Sequence, residues 1–271
     1  MKIKVVTLCS GYDSQCLALE RLKKNFPEFD YELIAWSEFD PESKAHLEKQ
    51  PAVIAHNALF PQWADRKLGD MTKIDWNKVE DFDLLAYSTP CQDISNAGLQ
   101  HGFAEGSGTR SSIIWNVRDA VKIKRPKYLL LENVKAMVGS KFLPMFNLWQ
   151  SELSKLGYVN FAQVLNAKDY GVPQNRERIF LFSIRDDGEF PRYYFPEPFP
   201  LKLRLKDVLE QNVDEKYYLS DDTIKSFASH CERKQAEGCG FKFEPSDGGG
   251  YAKCVNTNAG SRQTDNFIKE E

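Results

Sequence analysis

The sequence predicts an α/β domain built on an open, mostly parallel sheet, and three observations predict it. Short β-rich apolar runs alternate with segments of helical period, the signature of βαβ units. The 271 residues suffice for one large domain, alone or with a small appendage, and 42 % hydrophobic with 28 % charged content is ordinary for a soluble globular chain. Unusual polar residues gather where the apolar runs stop, and in an open parallel sheet ligands bind beyond the carboxyl ends of the strands.

The elements follow in order. "IKVVTLC" reads as a buried strand, followed by Gly11 and a helix with Leu19, Leu22 and Phe26 on one face. "YELIAWSE" is a second strand, and Pro41 suits the first turn of the helix after it. "DLLAYSTP" is a third and "KYLLLENV" a fourth. Phe142, Met145, Trp149, Leu153 and Leu156 recur at helical spacing, and "GYVNFAQVL" and "RIFLFSIR" close the series as two strands joined by a polar loop. After about Arg185 the character changes. "FPRYYFPEPFPLKL" is too proline-rich for a core element, a short helical stretch covers Leu205 to Leu209, and from Ser229 the chain is polar and glycine-rich. The expected division is 1–195 and a small irregular piece, 196–271.

Composition excludes several classes. A net charge of −3 lacks the basic excess of many small nucleic-acid-binding domains, although a local basic face is compatible with it. Cys9, Cys16, Cys91, Cys231, Cys239 and Cys254 form no C-x-x-C pair, and with four histidines no metal site is expected. No apolar run reaches membrane-spanning or signal-peptide length, so a reduced, cytoplasmic protein is expected, with no membrane partner.

Four strand ends carry the chemistry: Cys9-Ser10-Gly11, Glu38, Pro90-Cys91-Gln92 and Glu132-Asn133. A structural cysteine sits best inside an apolar run as a small hydrophobe. Cys91 instead follows the run, with Pro90 fixing one backbone angle, which suits a thiol presented to a ligand. Glu38 suits a carboxylate that accepts from ribose hydroxyls, at a gap a little longer than the roughly 20 residues usual after the first turn. Asp13 and Ser14 stand where a pyrophosphate-binding turn has glycines, which favours a nucleoside cofactor without phosphates over NAD. The glycine-rich "NAGLQHGFAEGSGTR" reads either as a mobile loop able to close over an extruded base or as an ordinary surface loop.

"TPCQDIS", "LLLENV" and "NAKDYGVPQNRERIFLFSIR" resemble, in order and distance, signature blocks of the cytosine-C5 DNA methyltransferases. "LCSGYDSQCLAL", "WSEFD" and "LGDMTKID" are similar to that family's three cofactor blocks, and "GTRSSIIWNV" to the block after its mobile catalytic loop. The resemblance runs over residues 3–185. It implies a Rossmann-like methyltransferase fold that uses S-adenosylmethionine, with 196–271 as a partial target-recognition region centred on Lys216 to Arg262. It further implies Cys91 as nucleophile, flanked by Pro90 and Gln92, and Glu132 at ring nitrogen 3. Arg178 would orient base and nucleophile, supported by Arg176 and Asn133. For the cofactor it implies Ser10 and Gly11 at the methionine part, Glu38 on the ribose, Phe39 against the adenine, and Asp70, beside Met71, at the adenine amino group.

Double-stranded DNA is then the expected partner. Two terminal blocks of the family are not visible after residue 185. Three explanations compete: a truncated chain, a C-terminal polypeptide partner that supplies the rest, or a degenerate remnant, the first two being favoured. Weak or no turnover by the isolated chain is expected, and a cognate restriction endonuclease is a further candidate partner. The competing readings are the same chemistry on tRNA, a subunit inactive without a partner, and a cysteine hydrolase using His101 as base.

Overall fold

A computed structural model describes residues 2–95, 98–238, 242–255 and 265–269. Cys239, the start of the glycine-rich segment at Asn96 and Ala97, and the Arg262 end of the expected recognition region lie outside the described residues. The chain divides into two compact units: Met1–Val164 with Arg178–Phe195, and Leu165–Glu177 with Pro196–Glu271.

The first unit is a doubly wound α/β fold. Its strands are β1 (Lys2–Leu8), β2 (Asp30–Ser37), β3 (Leu84–Tyr87), β4 (Tyr128–Val134), β5 (Tyr158–Asn166) and β6 (Glu177–Arg185). They lie in the order β2-β1-β3-β4-β6-β5. β1 pairs in parallel with β2 and β3, β3 pairs in parallel with β4, and β6 runs antiparallel to β4. The sheet is therefore mostly parallel, as the alternating pattern predicts.

Side-chain alternation sends successive strand residues to opposite faces. On one face Val6, Leu8, Leu85, Tyr87, Leu129 and Leu131 pack under helices α3 (Val117–Lys124) and α4 (Leu143–Lys155), with Trp149 at the centre. On the other, Val5, Leu33 and Trp36 pack under α1 (Ser14–Asn25) and α2 (Pro51–Leu59). The middle strands are thus buried on both sides, and the strand ends are the part of the sheet left open to a ligand.

Three expectations are corrected. Pro41 lies in a turn, and the next α-helix begins ten residues later with Pro51 in its first turn, the position where a missing N–H costs nothing. On α1 only Cys16 and Leu19 are buried; Leu22 and Phe26 lie open to solvent because the helix covers the β1–β2 margin of the sheet. The chain after Ser229 continues a helix, α5 (Asp221–Ala236), which buries Cys231 and is capped by Ser220 accepting from the Thr223 N–H.

In the second unit, short bridges join Gln174 to Ala252 and Ser246 to Ile268, and Phe227, Phe243 and Phe267 form a small aromatic cluster. No described helix is long and apolar enough to cross a membrane.

Candidate active site

The β1 end turns sharply. Cys9, Gly11 and Asp13 all take positive φ, and a Cβ on Gly11 would meet open space, so its glycine serves the backbone angle and leaves room for a ligand. Asp13 explains why further glycines are not needed. Its buried carboxylate accepts from Thr7 Oγ1 at 2.7 Å and caps α1 by accepting from the Cys16 N–H at 3.0 Å. His56 Nε2 lies 3.4 Å from the same carboxylate, stacked on Trp36.

Glu38 reaches back across this turn, accepting from the Gly11 N–H at 2.6 Å. Burial raises its carboxyl above the ordinary glutamate value, against the lowering effect of that hydrogen bond. Ser37 Oγ donates to Gly69 O at 2.6 Å, which brings the Asp70-Met71 segment to the same strand end. Cys9 Sγ then lies 3.4 Å from Met71 Sδ, and burial pushes the Cys9 thiol up and out of nucleophilic use. Asp70 caps its own short turn, accepting from the Thr72 N–H and hydroxyl with Lys73 Nζ at 3.2 Å; burial opposes ionisation, but these partners outweigh it and lower its pKa. The Lys73 ammonium also stands 5.9 Å from the centroid of the half-exposed Phe39 ring.

Gln50 fixes the loop that carries Phe39. Its buried amide accepts from the Asp40 N–H and donates to Asp40 O, while Arg110 grips Asp40 and Glu42 at 3.2 Å each. Ser10, Gly11, Glu38, Phe39, Asp70 and Met71 therefore all belong to one corner of the sheet. The residues fit a nucleoside ligand. Carboxylates are available to hydroxyls and an amino group, an aromatic face is exposed, and buried Ser10 Oγ has no hydrogen-bond partner among the described residues.

The β3 end is pinned from two directions. Asn133 Nδ2, buried on β4, donates to Thr89 O at 3.0 Å, and Ser111 Oγ donates to Pro90 O at 2.6 Å. The Cys91 carbonyl accepts from the Ile94 and Ser95 N–H groups, closing a tight turn with Cys91 partly exposed. Gln92 O accepts from the Leu99 N–H, and a Cβ on Gly98 would come within 1.8 Å of that oxygen, so only glycine fits there. Gln15 Nε2 donates to Ser88 Oγ at 2.7 Å, tying the first turn of α1 to the same strand end.

The neighbour of Asn133 does different work. Glu132 Oε1 lies 3.1 Å from Arg178 Nε, both side chains mostly buried. Arg176, two residues before Arg178, belongs to the second unit, where its guanidinium donates to Cys254 Sγ at 3.3 Å. The glycine-rich segment is held down beyond its first part: Phe103 is fully buried, Trp115 Nε1 donates to Phe103 O at 2.8 Å, and Thr109 Oγ1 donates to Gly102 O at 2.9 Å. His101, the hydrolase candidate base, is exposed with Nδ1 3.7 Å from the Asp93 carboxylate. Gln15, Gln50 and Ser111 were not singled out by the sequence, because isolated polar residues give no periodic signal.

The family described as C-5 cytosine-specific DNA methylase matches residues 3–270, running on through the region where no further signature block is visible. The chain is 46 % identical over 160 residues to type II methyltransferase M2.ScrFI of Lactococcus lactis subsp. cremoris, covering 59 % of this chain and 44 % of that protein. It is 35 % identical over 194 residues to type II methyltransferase M.SsoII of Shigella sonnei, covering 70 % and 50 %. The chain spans about half the length of the curated relatives it matches. Among solved structures, a DNMT2 of Spodoptera frugiperda superposes with a TM-score of 0.70 at 17 % identity, over 98 % of this chain and 72 % of the other, a likeness of fold.

Proposed function

The chain belongs to the C-5 cytosine-specific DNA methylase family, and from that membership we propose that it methylates carbon 5 of a cytosine extruded from double-stranded DNA. The observation that carries the proposal is the division of labour on β4. Asn133 holds the turn that presents Cys91, while adjacent Glu132 is held by Arg178.

Carbon 5 of cytosine is a poor nucleophile. Addition of the Cys91 thiolate to carbon 6 makes the ring an enamine, with Glu132 at ring nitrogen 3 and Arg178 steadying the charge that develops. Arg176 is the weaker member of this proposal, since its guanidinium is engaged by Cys254. S-adenosylmethionine, when bound, supplies the electrophilic methyl. Ser10 and Gly11 would receive its methionine part, Glu38 its ribose, Phe39 and Met71 its adenine ring, and Asp70 its adenine amino group. After transfer, loss of the carbon-5 proton to water and expulsion of Cys91 restore the aromatic ring and the thiolate. Pro90 and Gln92 keep the nucleophile's turn in register, and Pro196–Glu271 would contribute target recognition. A cytoplasmic setting and a cognate restriction endonuclease belong to the same reading. The type II names among the relatives support a restriction-modification setting with such a nuclease, whereas the orphan names, two of them from Bacillus phages, support a phage type without one. The description of the family as a cytosine-specific DNA methylase favours DNA over tRNA as substrate.

The test is a covalent adduct. Duplex DNA carrying 5-fluorocytosine cannot lose fluorine as a cation, so the methylated ring stays attached to the thiol. The expected result with S-adenosylmethionine is an adduct stable on a denaturing gel and absent with Cys91→Ser. An adduct that survives Cys91→Ser, or one formed with tRNA and not DNA, overturns the proposal.

A further inference from the structure

We propose that Ser111 is a positioning residue for the nucleophile, holding the Pro90–Asp93 turn from both sides of Cys91. This rests on the reading of Cys91 as the group that adds to cytosine. Ser111 lies in the 3-10 turn Arg110–Asn116 and is fully buried. Its hydroxyl donates to Pro90 O at 2.6 Å and accepts from the Asp93 N–H at 3.3 Å. Its own N–H donates to Asp93 Oδ2 at 3.1 Å, and Asp93 is itself buried.

A hydroxyl has one proton to give, and here it goes to the carbonyl immediately before Cys91. The same oxygen holds the amide two residues after Cys91. The backbone bracketing the thiol is therefore fixed at both ends by one side chain. The bonds from Ile94 and Ser95 to Cys91 O close the turn between those ends. Asn133 secures only the preceding residue, Thr89. Pro90 has no N–H to donate, so its carbonyl is the one backbone hydrogen-bonding group that this residue offers, and Ser111 takes it.

The clamp also joins the two ends of the glycine-rich segment, because Ser111 follows it and Pro90 and Asp93 precede it. Rearrangement within that segment would then leave the Cys91 sulfur in place. Misplacing a reacting group by about 1 Å costs on the order of 100-fold in rate, so a device that fixes the backbone around it belongs to catalysis as much as to stability.

The experiment compares wild type, Ser111→Ala, Ser111→Thr and Ser111→Cys in single-turnover adduct formation with the 5-fluorocytosine duplex. Equilibrium binding of S-adenosylmethionine is measured in parallel. The alanine variant is expected to form adduct about 10- to 100-fold more slowly with cofactor affinity unchanged, and threonine, which keeps the hydroxyl, to recover most of the rate. The cysteine variant keeps the volume with a weak donor, so it should be slow like alanine and replaces it if alanine does not fold. Wild-type rates in the alanine or cysteine variant, or a threonine variant as slow as alanine, overturn the proposal. Absence of adduct in wild type overturns the activity proposed for this chain, though not its family membership, and this inference with it.

Discussion

Glu132 and Arg178 meet at 3.1 Å across two antiparallel strands. Glu132 stands opposite Phe180 and Val134 opposite Arg178, so the pair is diagonal on one face of the sheet. The reversed direction of β6 brings the guanidinium to the carboxyl end of β4, where a parallel strand would have carried its own end residues instead. A charge-assisted hydrogen bond at that position fixes the carboxylate in one orientation.

Glu132→Gln keeps the shape and removes the charge. General acid–base and hydrogen-bonding groups of this kind contribute about 10²–10⁴-fold, so adduct formation should fall by that order while cofactor affinity holds. Arg178→Lys keeps the charge without the planar fork and should fall less than Arg178→Ala. Single-turnover rates check both, and an unchanged rate in Glu132→Gln would remove Glu132 from the mechanism.

Asn133 is buried, and its amide serves Thr89 O, with the Thr89 hydroxyl at 3.4 Å. Asn133→Ala leaves a buried carbonyl short of a donor, a cost of about 1–3 kcal/mol, and should lower the melting temperature by several degrees. Asn133→Asp should be worse, since it turns a carboxylate oxygen toward the Thr89 carbonyl. Thermal unfolding of the two variants gives the order, and alanine below aspartate would contradict it.

The sheet was legible because apolar runs betray strands directly, and all six appear where the runs lie. Helix ends were less so. Pro41 and Pro51 are equivalent as letters, and only the packing of Val53 and His56 against Trp36 selects the second. Arg176 and Arg178 share a spacing that suggests one strand face. β6 begins at Glu177, however, and Arg176 instead belongs to the loop whose backbone bonds to Asn166. The placement of Ser10, Glu38, Cys91 and Glu132 at or beside strand ends could be read because each apolar run shows where its strand stops. Ser111 could not, because its bonds join residues 18 and 21 positions away by hydroxyl geometry rather than periodicity.

Glu38 should make both stability and cofactor affinity pH-dependent, in opposite directions. Burial raises its folded-state pKa above the ordinary 4.5. The folded chain therefore holds the proton longer than the unfolded one. Stability falls as pH rises from the ordinary value through the raised one, and stays lower above it. A ribose-binding carboxylate needs its charge, so cofactor affinity should rise through that same upper pKa. Glu38→Gln should flatten both trends and bind cofactor more weakly at neutral pH. Calorimetric titration from below the ordinary 4.5 up to neutral pH checks this, and wild-type affinity in the variant at neutral pH would exclude the ribose role.

Asp13 combines a strained backbone with two buried hydrogen-bond partners, and substitutions can separate the two features. Its φ of 63° is left-handed, a conformation that Asn and Gly tolerate and Ala does not. Its carboxylate accepts from Thr7 Oγ1 and the Cys16 N–H, with His56 Nε2 3.4 Å away. Loss of a helix cap costs about 0.5–2 kcal/mol, and each buried group left unpaired about 1–3 kcal/mol. Asp13→Ala loses cap, partners and backbone fit together and should cost about 2–4 kcal/mol or more. Asp13→Gly restores the backbone alone, and Asp13→Asn keeps both the backbone and an oxygen for the cap. The expected order of melting temperatures is wild type, asparagine, glycine, alanine, with cofactor affinity falling in the same sequence because the Gly11 turn depends on the cap. If glycine proves no better than alanine, strain at Asp13 contributes nothing, and the turn is held by its hydrogen bonds alone.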